Sequence, residues 1–228
     1  MAVLYILPQW FFKLNIIFEI IFFLCTAIIA IYSFKIYKLS EQKQIRNFAF
    51  AFSFLSLSYF ILSLLNSSFL SIMTGELRVL DFYKFIDIKN IGVSLYIGFF
   101  ILGFISLLYA TLKLKSIRIY IALLVITALA IRFSCFKSLT IYLITSLFLI
   151  LITFHYFREY IRFKNENTLL VGIAMLFLLI SNVLMSFVGN YIQPNLYVIS
   201  RLIELLAYAL IITSLYKIVK NGKKKKQA

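Results

Sequence analysis

LNIIFEIIFFLCTAIIAIYS, residues 14–33, is followed at once by FKIYKLSEQKQIR, residues 34–46. The first stretch carries a single charge, Glu19; the second supplies Lys35, Lys38, Lys43 and Arg46. About 20 apolar residues suffice for a helix to cross a bilayer, and Lys and Arg collect on the cytoplasmic flank of such a helix. Apolar runs recur at about 48–73, 91–112, 119–134, 139–157, 168–190 and 196–217. The sequence therefore predicts an all-α polytopic membrane protein with seven transmembrane helices. No linker rich in Gly, Ser or Pro divides them, so residues 1–228 read as one seven-helix membrane domain with a basic tail at 218–228. A cleavable signal peptide is not expected, because the first run lacks a basic leader and a small-residue cleavage site.

Composition agrees. The chain has 228 residues, 63% hydrophobic, with a mean hydropathy of +1.00, against roughly half apolar for a soluble domain. The net charge of +15 would suggest nucleic acid in a soluble protein. Here its distribution argues otherwise, and no nucleic-acid partner is expected. Beyond the four basic residues after the first run come Lys113, Lys115 and Arg118, then Arg158, Arg162 and Lys164, then Lys217, Lys220 and Lys223 to Lys226. These sixteen of 23 basic residues fall on every second connection. The N-terminus is thus expected outside and the C-terminus in the cytoplasm. Lys223, Lys224, Lys225 and Lys226 are expected to meet anionic lipid, at about 1 kcal/mol per basic residue near the surface. The expected location is a multi-pass protein of a prokaryotic plasma membrane, or of the ER membrane in a eukaryote.

Ionisable groups inside spans are costly and usually face the protein interior. Glu19 lies in the first span, Asn182 in the sixth, and Arg201 and Glu204 in the seventh. At 1.5 Å per residue all four fall in the outer half of the membrane. Arg201, Glu204 and Tyr208 share one face of the last span, and Asn15, Glu19, Thr26 and Ser33 share one face of the first. The two stripes are expected to face each other, with Arg201 bridging Glu19 and Glu204. Three readings stay open: an ion-pair network that fixes helix packing, a ligand or ion site opening outward, and a proton relay.

Other features carry less. Gly92, Gly103, Ser106 and Ala110 form a small-residue stripe on the third span, suited to close helix packing or to a homodimer seam. The segment Thr74 to Asn90 alternates apolar and charged residues and reads as a surface helix or an ordered loop. Asn66-Ser67-Ser68 matches a glycosylation sequon but sits at the edge of the second span. His155, the only histidine, reads as an interfacial polar group beside Arg158 and Glu159. Cys25 and Cys135 are not expected to pair.

Enzyme chemistry finds little support. Two Asp and one His argue against zinc hydrolases and di-metal sites. No G-x-S-x-G, P-loop or G-x-G-x-x-G is present, and no lysine sits mid-span in the last helix for retinal. No cofactor and no metal are expected. The short fourth span suggests a three-plus-one-plus-three plan, as in small sugar transporters of the PQ-loop type. Pro8 and Pro194 lie on the wrong side for that family's Pro-Gln pair, however. The stretch from Asn195, Leu196 and Tyr197 through Arg201, Glu204, Ala207 and Tyr208 to Tyr216 and Lys217 resembles the last helix of seven-helix sensor modules. Those precede histidine-kinase or cyclase domains in bacteria and archaea, and often carry histidine and lysine where Arg201 and Glu204 stand. The resemblance covers one helix and implies an outward-facing sensing bundle, with signalling passed to a partner.

The sequence is thus read as a non-enzymatic integral membrane protein, either a sensor- or receptor-like module or a membrane subunit of a larger assembly. The alternative is a small-solute transporter or channel using the polar layer. Besides the bilayer and its anionic lipids, the candidate partners are another membrane protein or a second copy of the chain.

Overall fold

A computed structural model describes the backbone of residues 9–73, 79–114, 116–188 and 194–227, and the side chains of residues 13–68, 70, 90–114, 116–187 and 195–220. Backbone groups in hydrocarbon must be satisfied within their own segment, and the apolar runs accordingly fold as helices. They are α1 (Gln9–Ser40), α2 (Lys43–Met73), α3 (Val79–Thr111), α4 (Ile117–Phe133), α5 (Lys137–Phe163), α6 (Glu166–Val188) and α7 (Pro194–Gln227). Among the described residues there is no strand.

Six of the seven are long and apolar enough to cross a membrane: Lys13–Ser40, Lys43–Ser68, Asn90–Thr111, Lys137–Phe163, Glu166–Phe187 and Asn195–Lys220. The chain is a multi-pass integral membrane protein on that ground. The seventh predicted span differs. With 17 residues, α4 is about 25 Å long, short of the roughly 30 Å hydrocarbon core.

Six helices close a ring in the order α1, α2, α3, α5, α6, α7, with α1 packed on α7; α4 touches only α3 and α5 and lies outside it. Only Thr127 and Ile131 of α4 are buried. Helices α3 and α5 run parallel. Tyr96 and Tyr142 line one small cavity, and the Lys113 ammonium meets the Glu159 carboxylate at 2.8 Å, about 25 Å further along both helices. The connection between them must return over that distance, and α4 makes the return.

Three turns gather at one end of the ring, where Gln44, Lys113 and Asn165 line a single cavity. Each uses a left-handed residue: Glu41 (φ 55°), Lys113 (φ 55°) and Lys164 (φ 48°). The Glu41 N–H donates to the Tyr37 carbonyl at 2.8 Å, and the Lys164 N–H to the Tyr160 carbonyl at 2.7 Å. These bonds satisfy helix-end carbonyls as a glycine C-cap does, at the cost of placing a side chain at positive φ. After Lys164 the Asn165 side chain caps α6, its Oδ1 accepting the Asn167 N–H at 3.0 Å. We call this the basic end, because the chain's basic residues cluster there.

Two boundaries differ from the sequence reading. Helix α7 runs on through the lysines to Gln227, so residues 218–227 continue the helix instead of leaving it as a tail; the side chains of Lys223 to Lys226 lie outside the described ones. The segment Thr74 to Asn90, expected as a surface helix or an ordered loop, is continuous with α3 from Val79 onward. Residues 74–78 lie outside the described residues.

The small-residue stripe of α3 is used inside the bundle. A Cβ on Gly103 would lie 2.7 Å from Leu55 Cγ and 3.2 Å from the Ala51 carbonyl oxygen, and one on Gly92 2.5 Å from Leu65 Cδ2. Both glycines let α3 approach α2. Ser106 instead meets the Tyr120 hydroxyl of α4 at 3.1 Å.

Candidate functional site

Helix α1 turns Glu19, Thr26 and Ser33 inward, each fully buried. The spacing of seven residues is two helical turns, so the expected stripe exists. Opposite it on α7 stand Arg201, Glu204 and Tyr208, all buried. Helix α2, which the sequence reading did not include, adds Tyr59 and Asn66 to the layer.

The contacts form one chain across three helices. On α1 and α2, the side-chain amides of Asn15 and Asn66 donate to Glu19 Oε1 at 2.9 and 2.6 Å. Asn15 Oδ1 accepts from the Tyr197 hydroxyl, which in turn accepts from Arg201 Nε at 3.0 Å. Arg201 Nη1 donates to Glu204 Oε2 at 2.8 Å. Glu204 Oε1 accepts from the Tyr59 hydroxyl of α2, and the Tyr208 hydroxyl lies 3.3 Å from the same oxygen and 2.9 Å from that of Tyr59. The guanidinium also stacks near two rings, 5.6 Å from Phe22 and 5.0 Å from Tyr197, contacts that help hold a cation away from water.

The expected bridge is therefore half right. Arg201 pairs with Glu204, but Glu19 is not its second partner. Tyr197 and Asn15 stand between them, and the two amides hold Glu19 in place of a cation. Glu19 Oε2 has no hydrogen-bond partner among the described residues. The physical reason is side-chain reach. Helical phase placed both groups on facing stripes, but a tyrosine on α7 one turn before Arg201 fills the space between them.

Asn182 joins the same region by a separate route. Its Oδ1 accepts from Thr145 Oγ1 at 3.0 Å and its Nδ2 donates to the Leu178 carbonyl at 3.0 Å. Ser200 donates to the Ser181 carbonyl at 3.0 Å nearby. Among the described residues the space left between Arg201, Glu204, Asn182, Tyr96 and Tyr142 is only about 10 Å³, room for about one water. Below it the ring is filled by Ile29, Leu55, Ile105 and Ile211, each at most 2% exposed.

A much larger cavity, about 450 Å³, lies at the basic end. Its wall takes Ser33 from α1, Gln44 and Phe48 from α2, Thr111 from α3, His155 and Tyr156 from α5, Asn167 and Thr168 from α6, and Ser214 from α7. Of these, only His155 and Ser33 were singled out from the sequence. The rest, apart from Phe48, are neutral polar residues, most of them near helix ends, where such residues are ordinary. Only ring closure brings six ends together. His155 Nε2 lies 4.0 Å from Glu159 Oε1, which accepts from Lys113, and His155 Nδ1 is buried with no hydrogen-bond partner among the described residues.

No cluster of His, Cys, Asp and Glu able to hold a metal occurs among the described residues. Cys25 and Cys135 are both free. The fold and site thus define a multi-pass membrane bundle with a packed charged layer at one end and a cavity at the other. Comparison with protein-family models, curated proteins and solved structures gives no match.

Proposed function

We propose that the chain is a non-enzymatic, receptor- or sensor-like membrane module, acting through a membrane partner or as a subunit of a larger assembly. One observation carries this reading. Side chains at most 2% exposed fill the ring between the charged layer and the cavity, which supports a packed module over an open pore. A cavity joined by a packed core to a cross-linked layer of three helices suits a module that binds on one side and is read on the other. In this reading α4 crosses as the seventh span. Its exposed apolar residues, among them Ile121, Ile126 and Leu129, support that, as does the parallel run of α3 and α5. Seven crossings with the basic end in the cytoplasm leave the N-terminus outside.

A second reading, a small-solute carrier, is favoured by the cavity opening at one end while the polar layer closes the other. Stopped-flow swelling of liposomes containing only this protein separates the two. With sorbitol, glycine and urea as osmolytes, the module reading expects rates equal to those of empty liposomes. Accelerated swelling that saturates with one osmolyte would establish the carrier.

A further inference from the structure

We propose that the cavity at the basic end is a binding site for an uncharged small molecule with a hydrogen-bonding edge and an apolar face. The proposal rests on the seven-span reading only for its sidedness.

The volume, about 450 Å³, falls within the range of about 300–1,000 Å³ usual for ligand pockets. The charge balance of the wall selects the class. Lys113, Glu159 and His155 are its ionisable residues, and they already face one another: Lys113 pairs with Glu159 at 2.8 Å, partly exposed at the mouth, and His155 Nε2 lies 4.0 Å from the same carboxylate. The buried polar groups of the wall are neutral hydroxyls: Ser33 and Ser214, both fully buried, with Thr111. Apolar side chains such as Ile36, Phe48, Val171 and Ile211 make up much of the remaining wall. An ion carried inward would leave water and meet no counter-charge, a heavy desolvation cost.

Ser33 supplies an independent sign. Serines and threonines within helices commonly return their hydroxyl to a carbonyl one turn back. Here Thr26 donates to the Phe22 carbonyl at 2.6 Å and Thr111 to that of Leu107 at 2.8 Å. Three buried helical hydroxyls, those of Ser33, Ser146 and Thr153, have no hydrogen-bond partner among the described residues, and of these Ser33 is the one that lines the cavity. A buried polar group without a partner is uncommon; its side chain faces the space where a ligand hydroxyl, amide or carbonyl would sit. It lies about 10 Å inward from the end of α1, seven residues before Ser40. Binding therefore means entering the bundle.

The test is cysteine accessibility in detergent. Ser33→Cys is made in a chain with Cys25→Ala, and native Cys135, exposed at the opposite end, serves as the reference thiol. Three methanethiosulfonates of similar size are compared: hydroxyethyl (neutral), sulfonatoethyl (anionic) and trimethylammonioethyl (cationic). The neutral reagent is expected to modify Ser33→Cys at least tenfold faster than either charged one, relative to Cys135. Uridine, glucose and benzyl alcohol are the uncharged probes, and at least one is expected to slow modification threefold or more. Glutamate and putrescine are expected to have no effect. Ser214→Cys repeats the measurement should Ser33→Cys fail to fold. Slow modification by all reagents at both positions overturns the proposal. So does equal modification by the three reagents, strongest protection by glutamate or putrescine, or protection by none of the five, which would mean a water-filled vestibule only. In sealed vesicles, Cys135 and Ser33→Cys should label from opposite faces. Labelling from the same face breaks the seven-span reading and leaves the cavity result standing.

Discussion

The two ends of the bundle solve the same problem in opposite ways. Both bring polar side chains from several helices into the ring. At the Glu19 end the groups bond to one another across α1, α2 and α7 and leave about 10 Å³. At the basic end most do not meet, and about 450 Å³ remains. The side chains themselves make part of the difference. Four tyrosines, Tyr59, Tyr96, Tyr142 and Tyr208, are long enough to reach across the ring and fill the first layer. The polar part of the second is mainly Ser, Thr, Asn and Gln, which are too short, set among aliphatic side chains. The strongest charges thus mark the more tightly bonded layer here, and the weaker polar groups mark the open one.

The comparison breaks most visibly at Arg201. Arg201→Leu removes the cation from a buried pair and leaves Glu204 with tyrosine donors alone. The expected loss is on the order of 3 kcal/mol, read as a lower unfolding temperature in detergent and a smaller monodisperse fraction. Arg201→Leu combined with Glu204→Leu should recover much of it. If Arg201→Leu is as stable as the parent, the charged layer is not a structural lock.

Gly103→Val tests the packing beneath both ends. Its side chain would press on Leu55 and the Ala51 carbonyl, and overpacking of this kind costs about 1–3 kcal/mol. Gly98→Ala, with nothing within 4 Å of the added carbon, is the control and should be close to neutral in the same thermal scan.

A pair of serines sharpens the contrast between the ends directly. Ser200→Ala deletes a bond to the Ser181 carbonyl and should cost about 0.6 kcal/mol, typical for a polar contact between membrane helices. Ser33→Ala deletes no bond and should leave the unfolding temperature unchanged or raise it. Equal losses would contradict the difference drawn between the two layers. The smallest effect is expected at the turn after α5. Lys164→Gly relieves a left-handed side chain and should stabilise by less than about 1 kcal/mol, part of the gain being offset by glycine's greater freedom in the unfolded chain.

Much of the charged layer was legible in the sequence. Glu19, Arg201, Glu204 and Tyr208 stand out because ionisable and polar groups are rare in apolar runs, and a period of 3.6 residues puts them on inward faces. Asn182 was found the same way, though its partners, Thr145 and the Leu178 carbonyl, were not. Tyr59, Asn66 and Tyr197 were missed. A tyrosine in a chain with fifteen of them carries no signal, and Asn66 drew attention as a glycosylation sequon while its amide in fact holds Glu19. The cavity was not legible at all.

By itself the sequence determined the six long spans, their alternating basic connections and the rarity of buried charge. These follow from the hydrocarbon core, which accepts apolar helices about 20 residues long and taxes every ion. It also determined which faces of α1 and α7 point inward, because helical phase is a local property. Only the tertiary structure decided the ring order that sets α4 outside, the tyrosine that separates Glu19 from Arg201, and which end is filled. Those depend on the reach of side chains between helices far apart in sequence. In lipid, where apolar surfaces are interchangeable, close packing and the few interhelical hydrogen bonds choose among arrangements that hydropathy treats as equal.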